Sequence, residues 1–162
     1  MSEDAKADVK RGEKVITTNR KAHHDYFILD SIEAGIELRG TEVKSLRAGG
    51  VNLKDSYVET RAGQMTLIGV HISPWESGNR FNHAPERPRR LLLHKREIFR
   101  WTQKSREKSL TIVPLRMYFK GGRVKVEIAL VKGKRSYDKR AAIADRESRR
   151  ELDRALKEAR DR

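Results

Sequence analysis

Gly121-Gly122 most constrains what this chain can fold into, because two consecutive glycines between two runs of alternating apolar residues specify a tight hairpin. Both central positions of the favoured loop need positive φ, which glycine adopts without steric cost. Pairing Lys120 with Arg123 sets Phe119 opposite Val124, Met117 opposite Val126, Leu115 opposite Ile128 and Val113 opposite Leu130, so one face of the ladder is wholly apolar. The other face sets Arg116 against Glu127 and Tyr118 beside Lys125. Pro114 is expected to point its missing N–H away from a central ladder. Such a hairpin must bury its apolar face, so a β body is expected around it.

The rest of the chain supplies further pieces. Residues 1–18 are polar and nearly without period, which predicts a mobile arm, with order beginning near Asn19. Tyr26 to Leu38 reads as a long strand, or two strands bent at Gly35. Thr41 is placed to cap a short helix over Glu42 to Arg47, with Val43 and Leu46 facing the core and Gly49 ending it. Asp55 to Thr60 and Met65 to Ile72 predict a second hairpin, turning through Arg61-Ala62-Gly63-Gln64. Ser73 to Arg90 contains three prolines and no period, which predicts an irregular connection. Helical period returns over Leu91 to Lys108, with Leu91, His94, Ile98, Trp101 and Ser105 on one side and Arg96, Arg100, Lys104 and Lys108 on another.

Beyond Leu130 the character changes. Lys132-Gly133-Lys134-Arg135-Ser136-Tyr137-Asp138-Lys139-Arg140 is a basic hinge, suited to a phosphate backbone or equally to plain solvation. After it, Asp138 can cap a helix in which Leu152, Ala155, Leu156 and Ala159 form a thin row. That row buries too little to dock firmly, so a helix that forms against a partner is expected. The domain organisation read from the chain is an arm over 1–18, a β body over 19–131, and a hinge with a conditional helix over 132–162.

A formal charge of +14 calls for a polyanion partner, and residues 138–162 carry only +2 of it, so the body is itself the basic surface. With no cysteine there is no disulfide framework, thiol nucleophile or Cys-type zinc site. Neither a signal h-region nor a long apolar run is present, so a cytoplasmic protein without membrane contact is expected. His23-His24-Asp25 is the one cluster with a catalytic look, but on an extended segment adjacent imidazoles point apart. His71, His83 and His94 lack ligand spacing, and neither a phosphate loop nor a nucleophile elbow occurs, so no enzyme activity, cofactor or metal is expected. His24 beside Tyr26 suits base stacking or a structural role equally. Trp101 falls on the core side of its helix, and Trp75 is assigned no role.

Ordered motifs then carry a resemblance. Asn19-Arg20-Lys21-Ala22-His23-His24-Asp25-Tyr26-Phe27-Ile28, Glu33-Ala34-Gly35, Glu42-Val43-Lys44-Ser45-Leu46-Arg47-Ala48-Gly49, Asp55-Ser56-Tyr57-Val58, Arg90-Leu91-Leu92-Leu93, Lys132-Gly133-Lys134 and Tyr137-Asp138-Lys139-Arg140 resemble the small protein B (SmpB) family, from about residue 19 to 162. The resemblance implies a mainly β fold: a closed antiparallel oligonucleotide-binding-like barrel of about six strands, two or three flanking helices, and a tail that is helical when bound. It also implies trans-translation, the rescue of stalled ribosomes, with transfer-messenger RNA and the ribosome as partners of a monomer, and the elongation factor that delivers aminoacyl-tRNA as a further one. The positions implicated in binding the tRNA-like end correspond to His24, Glu33, Leu92 and Lys125, to which the residue patterns add Tyr26 and Tyr118. Leu92 reads as core by composition, and the resemblance alone promotes it. For the tail, the resemblance implies that Lys132, Gly133, Lys134, Arg135, Tyr137, Asp138, Lys139 and Arg140 meet the decoding region. This chain departs from the family at Lys108-Ser109, where glycine is common, so the helix stop there is expected to be less sharply set. The alternative function is a permanent basic ribosomal protein or a general RNA chaperone.

Overall fold

The computed structural model describes residues 12–75 and 82–161, with Ser136 and Tyr137 by backbone alone. The chain divides into two compact units, residues 1–132 and 133–162. In the first, the described residues form nine strands and three helices, in the order β1 (Glu13–Thr18), α1 (Arg20–Asp25), β2 (Tyr26–Ile36), α2 (Gly40–Arg47), β3 (Val51–Asn52), β4 (Tyr57–Arg61), β5 (Gln64–Ile68), β6 (His71–Ile72), β7 (Arg89–Leu92), α3 (Lys95–Glu107), β8 (Thr111–Lys120) and β9 (Arg123–Gly133). Seven strands make one sheet in the order β1-β8-β9-β2-β7-β5-β4, and β3 pairs with β6.

The β8–β9 hairpin turns at Gly121-Gly122, whose φ angles of 58° and 74° meet the demand of the loop. Its register follows the expected one from Lys120↔Arg123 to Arg116↔Glu127 and then shifts by one residue at Leu115. The expected pairs Leu115–Ile128 and Val113–Leu130 therefore do not form; Ile112 lies opposite Leu130 and Val113 opposite Ala129. A bulge of this kind turns the following side chains over. Met117, Ile112 and the whole row Val124, Val126, Ile128, Leu130 enter the main core, while Val113 and Leu115 join Ala129, Val131 and Ala22 in a second cluster. Both faces of this end of the sheet are thus buried, and α1 covers the second one. Pro114 lies at the bulge, where proline is tolerated.

Residues 1–11 of the expected arm lie outside the described residues, but Glu13–Thr18 is a strand on β8, not part of an arm. Val15, Ile16, Thr17 and Thr18 suit an edge strand, and Glu13 is fastened by Arg116 at 2.9 Å. This strand also bears on closure. At the far end of the sheet, β4 comes up against β8. β1 pairs with β8 only from Arg116 to Lys120, and β4 approaches β8 without forming a ladder with it. The sheet curls until its ends approach and is not closed by hydrogen bonds.

The second hairpin turns more tightly than expected, with Arg61 opposite Gln64 and Ala62-Gly63 as its two-residue loop. Near Gly35 the strand β2 is continuous, and Gly35 lies opposite Leu92. Helix α2 begins at Gly40, with Arg39 rather than Thr41 at its N-cap and the Arg39 N–H donating to Glu42 at 2.9 Å. Leu46 is buried as expected and Val43 only half so, while Glu42 is fully buried. The Glu42 carboxylate takes hydrogen bonds from Arg87 and Arg89, and Arg89, equally buried, donates also to the carbonyls of Val70 and Pro85. Helix α3 starts at Lys95, not Leu91, because Leu91 and Leu92 belong to β7; Trp101 and Ile98 fill the core from it. It stops through Ser109, which takes a φ of +49° that glycine would adopt more cheaply.

In the second unit, Ser136–Arg160 is one continuous helix, α4. Arg135 is its N-cap and donates its backbone N–H to Oδ2 of Asp138, at the third helical position, at 3.3 Å, so Asp138 is not itself the cap.

Candidate nucleic-acid interface

Strand alternation puts Arg116, Tyr118 and Lys120 on one face of β8 and Met117 and Phe119 on the other. On the polar face, Tyr118 lies opposite Lys125 of β9, and the next strand in the sheet order is β2. The Tyr118 hydroxyl reaches it and donates to Oε2 of Glu33. Lys120 Nζ donates to the same oxygen at 3.1 Å. Burial pushes the Glu33 carboxyl up, but the hydrogen bonds from Tyr118 and Lys120 and the charges of Lys120 and Lys125 outweigh it and hold it below its ordinary value. Burial and the same carboxylate raise the Tyr118 phenol well above its ordinary value. Arg116 stacks over the Tyr118 ring at 4.2 Å and is itself held by Glu127 at 2.7 Å and Glu13. The face is a lattice of charge pairs, with Glu33 at its outer end.

Glu33, Leu92 and Lys125 line one open depression of about 350 Å³, together with Gly35 and His94. Leu92 is half exposed, which corrects the reading of it as core: Leu91 faces the core, so the next residue of β7 faces out. Gly35, opposite it in the ladder, leaves room for it, since a Cβ there would lie 3.2 Å from Cβ of Leu92. The depression offers an apolar floor, a carboxylate acceptor and an ammonium donor, the combination that an unstacked nucleotide needs. Tyr118 is corrected in turn. Only 1% of it is exposed, so its ring has no face open to a base.

His24 and Tyr26 are placed elsewhere. The segment expected to be extended is helix α1, begun by Asn19, whose Oδ1 accepts the Ala22 N–H at 3.1 Å. His24 lies in its last turn, with Nδ1 2.9 Å from Oδ1 of Asp25. Tyr26 packs on the second cluster and lines a separate depression with Lys21, Asp55 and Tyr57. Tyr57 is exposed, and Lys21 pairs with Asp55, whose φ of 60° is left-handed. The sequence reading missed this second depression, although Asp55-Ser56-Tyr57 was a signal for it. Among the described residues, no cluster of His, Asp and Glu could hold a metal, and no helix is long and apolar enough to cross a membrane.

Of the tail positions, Lys132 and Gly133 close β9 and Arg135 is exposed at the start of α4; the Tyr137 side chain lies outside the description. On α4, Ile143, Leu152 and Leu156 are exposed.

The model of the SmpB protein family matches residues 16–158. The SsrA-binding protein of Carboxydothermus hydrogenoformans is 58% identical over 145 residues, 90% of this chain and 97% of that protein. That of Moorella thermoacetica is 60% identical over 146 residues, covering 90% and 94%. A solved structure described as "tmRNA-SmpB: a journey to the center of the bacterial ribosome" superimposes with a TM-score of 0.64 at 46% identity, over 78% of this chain and 93% of the other. With most of its length matched by the family model and by relatives of this identity, the chain belongs to the SmpB protein family.

Proposed function

We propose that this chain binds the tRNA-like part of transfer-messenger RNA and delivers it to stalled ribosomes, the reaction sequence of trans-translation. The observation that carries the reading is the meeting of Glu33, Leu92 and Lys125, distant in sequence, in one depression on a basic body. Likeness to SsrA-binding proteins and to a chain solved with transfer-messenger RNA supplies the ligand. The curled sheet serves as an oligonucleotide-binding-like barrel, open at the β1 and β4 edges, that presents this face to RNA. His24 and Tyr26, on α1 and the start of β2, make a second contact area. Helix α4, with the hinge from Lys132 to Arg140, occupies the empty message channel and decoding region, and its helix is stabilised there. No chemistry is asked of the protein, and the setting is the cytoplasm.

Co-purification tests the reading. One stable, non-ribosomal RNA of defined length should accompany the protein. Stoichiometric retention on ribosomes after high-salt washing, without that RNA, would identify a permanent ribosomal component instead.

A further inference from the structure

Tyr118 is buried, polar at one end, and in contact with a residue that faces RNA in the proposed function. Its hydroxyl and Lys120 both donate to Oε2 of Glu33, whereas Oε1 accepts from no group among the described residues. The ring cannot swing away. Arg116 stacks on it at 4.2 Å and is tied on either side to Glu13 of β1 and Glu127 of β9. Glu33 itself stands on the solvent side of β2, where a glutamate without partners would sample many rotamers.

We propose that Tyr118, which touches no nucleic acid, is a positioning residue for RNA binding: by holding Oε2 of Glu33 it fixes the carboxylate and leaves Oε1 as its single acceptor for RNA. The inference rests on the reading that the Glu33 face meets RNA. It gives a job to the one buried phenol on that face, and it assigns Arg116, Glu13 and Glu127 to the support of Tyr118. An acceptor fixed before binding avoids the ordering cost of a free side chain, so its loss should weaken affinity about threefold to tenfold. The titratable and charged groups around the carboxylate are Arg116, Tyr118 and Lys120 of β8, Glu13 of β1, Lys125 and Glu127 of β9, and His94 and Glu97 across the depression.

The test is a double-mutant cycle on the full chain, titrated against transcribed transfer-messenger RNA. Tyr118→Phe keeps the ring and removes the hydroxyl; it should lose about threefold to tenfold in affinity. Glu33→Gln should lose at least as much, and the double variant should be no worse than Glu33→Gln. In the free protein, the Glu33 carboxyl followed by NMR should titrate at higher pH in Tyr118→Phe, which reads the loss of the hydrogen bond, while the cycle reads whether that bond serves RNA binding. Lys120→Met removes the second donor and should show a smaller loss, likewise absent in the Glu33→Gln background; it carries the test if Tyr118→Phe does not fold. Wild-type affinity for Tyr118→Phe with the Glu33→Gln loss intact overturns the proposal alone, as do losses that multiply in the double variant. Wild-type affinity for Glu33→Gln overturns the reading of the face and the proposal with it.

Discussion

The side-chain amide of Asn19 donates to the carbonyl of Pro114 at 2.9 Å, across 95 residues of sequence. Asn19 also sends its backbone N–H to the Leu115 carbonyl at 2.7 Å, so one residue satisfies two carbonyls at the β8 bulge while its Oδ1 caps α1. Asn19→Ala should therefore cost more than an ordinary cap: about 1 kcal/mol for the cap and about 1–3 kcal/mol for the stranded Pro114 carbonyl. Urea unfolding should show a lower midpoint at unchanged slope. A shift corresponding to the cap alone would mean that the bulge does not depend on Asn19.

Glu42 is fully buried between Arg87 and Arg89. Removing one partner of a buried charge cluster leaves the others uncompensated, so Glu42→Ala should destabilise by about 3–5 kcal/mol. Burial pushes the Glu42 carboxyl up, yet the Arg39 N–H and the two guanidinium groups hold it below its ordinary value. A folded-state pKa below the unfolded one means that the unfolded chain binds more protons in between. This stability is present above the unfolded value, about 4.3 for glutamate, and is lost as pH falls through the folded one. Melting temperatures from neutral pH down to acid should fall less steeply for Glu42→Gln than for wild type; parallel curves would refute the linkage.

Lys125 borders the same depression as Glu33 and Leu92. If it neutralises a phosphate, Lys125→Ala should reduce the salt dependence of RNA binding by about one unit of log-log slope. Titrations at several salt concentrations read this directly, and an unchanged slope would assign Lys125 to a base or to Glu33 alone.

Helix α4 belongs to a separate compact unit beginning at Gly133. Deleting residues 134–162 should leave affinity for transfer-messenger RNA nearly intact and abolish tagging on stalled ribosomes. Ile143→Pro, inside α4, should cost about 3 kcal/mol of helix and reproduce the tagging defect at normal RNA affinity. Wild-type tagging by Ile143→Pro in a reconstituted translation assay would show that the charges of the tail act without its helix.

Local patterns determined much of this protein. Gly121-Gly122 and the alternation around it were enough for the hairpin and for its register down to Arg116–Glu127, and Trp101 was legible as core from its place in the α3 period. The ordered motifs were enough for the family; of the four positions the resemblance implied, Glu33, Leu92 and Lys125 line one depression, whereas His24 lies apart from it on α1. Other features needed the folded chain. Ile112, Val113 and Leu115 are all apolar, so period two cannot choose a face, and the bulge is decided by two cores competing for them. Glu13–Thr18 looks like an arm because an edge strand buries little; it becomes a strand once β8 offers it an edge, and the sheet then ends in β1 and β4, which do not pair with each other. Leu92 and Tyr118 exchanged roles for a similar reason. Apolar character and alternation do not say which face of a short strand is covered, nor that a tyrosine on a polar face will be sealed under an arginine and aimed at a glutamate 85 residues away.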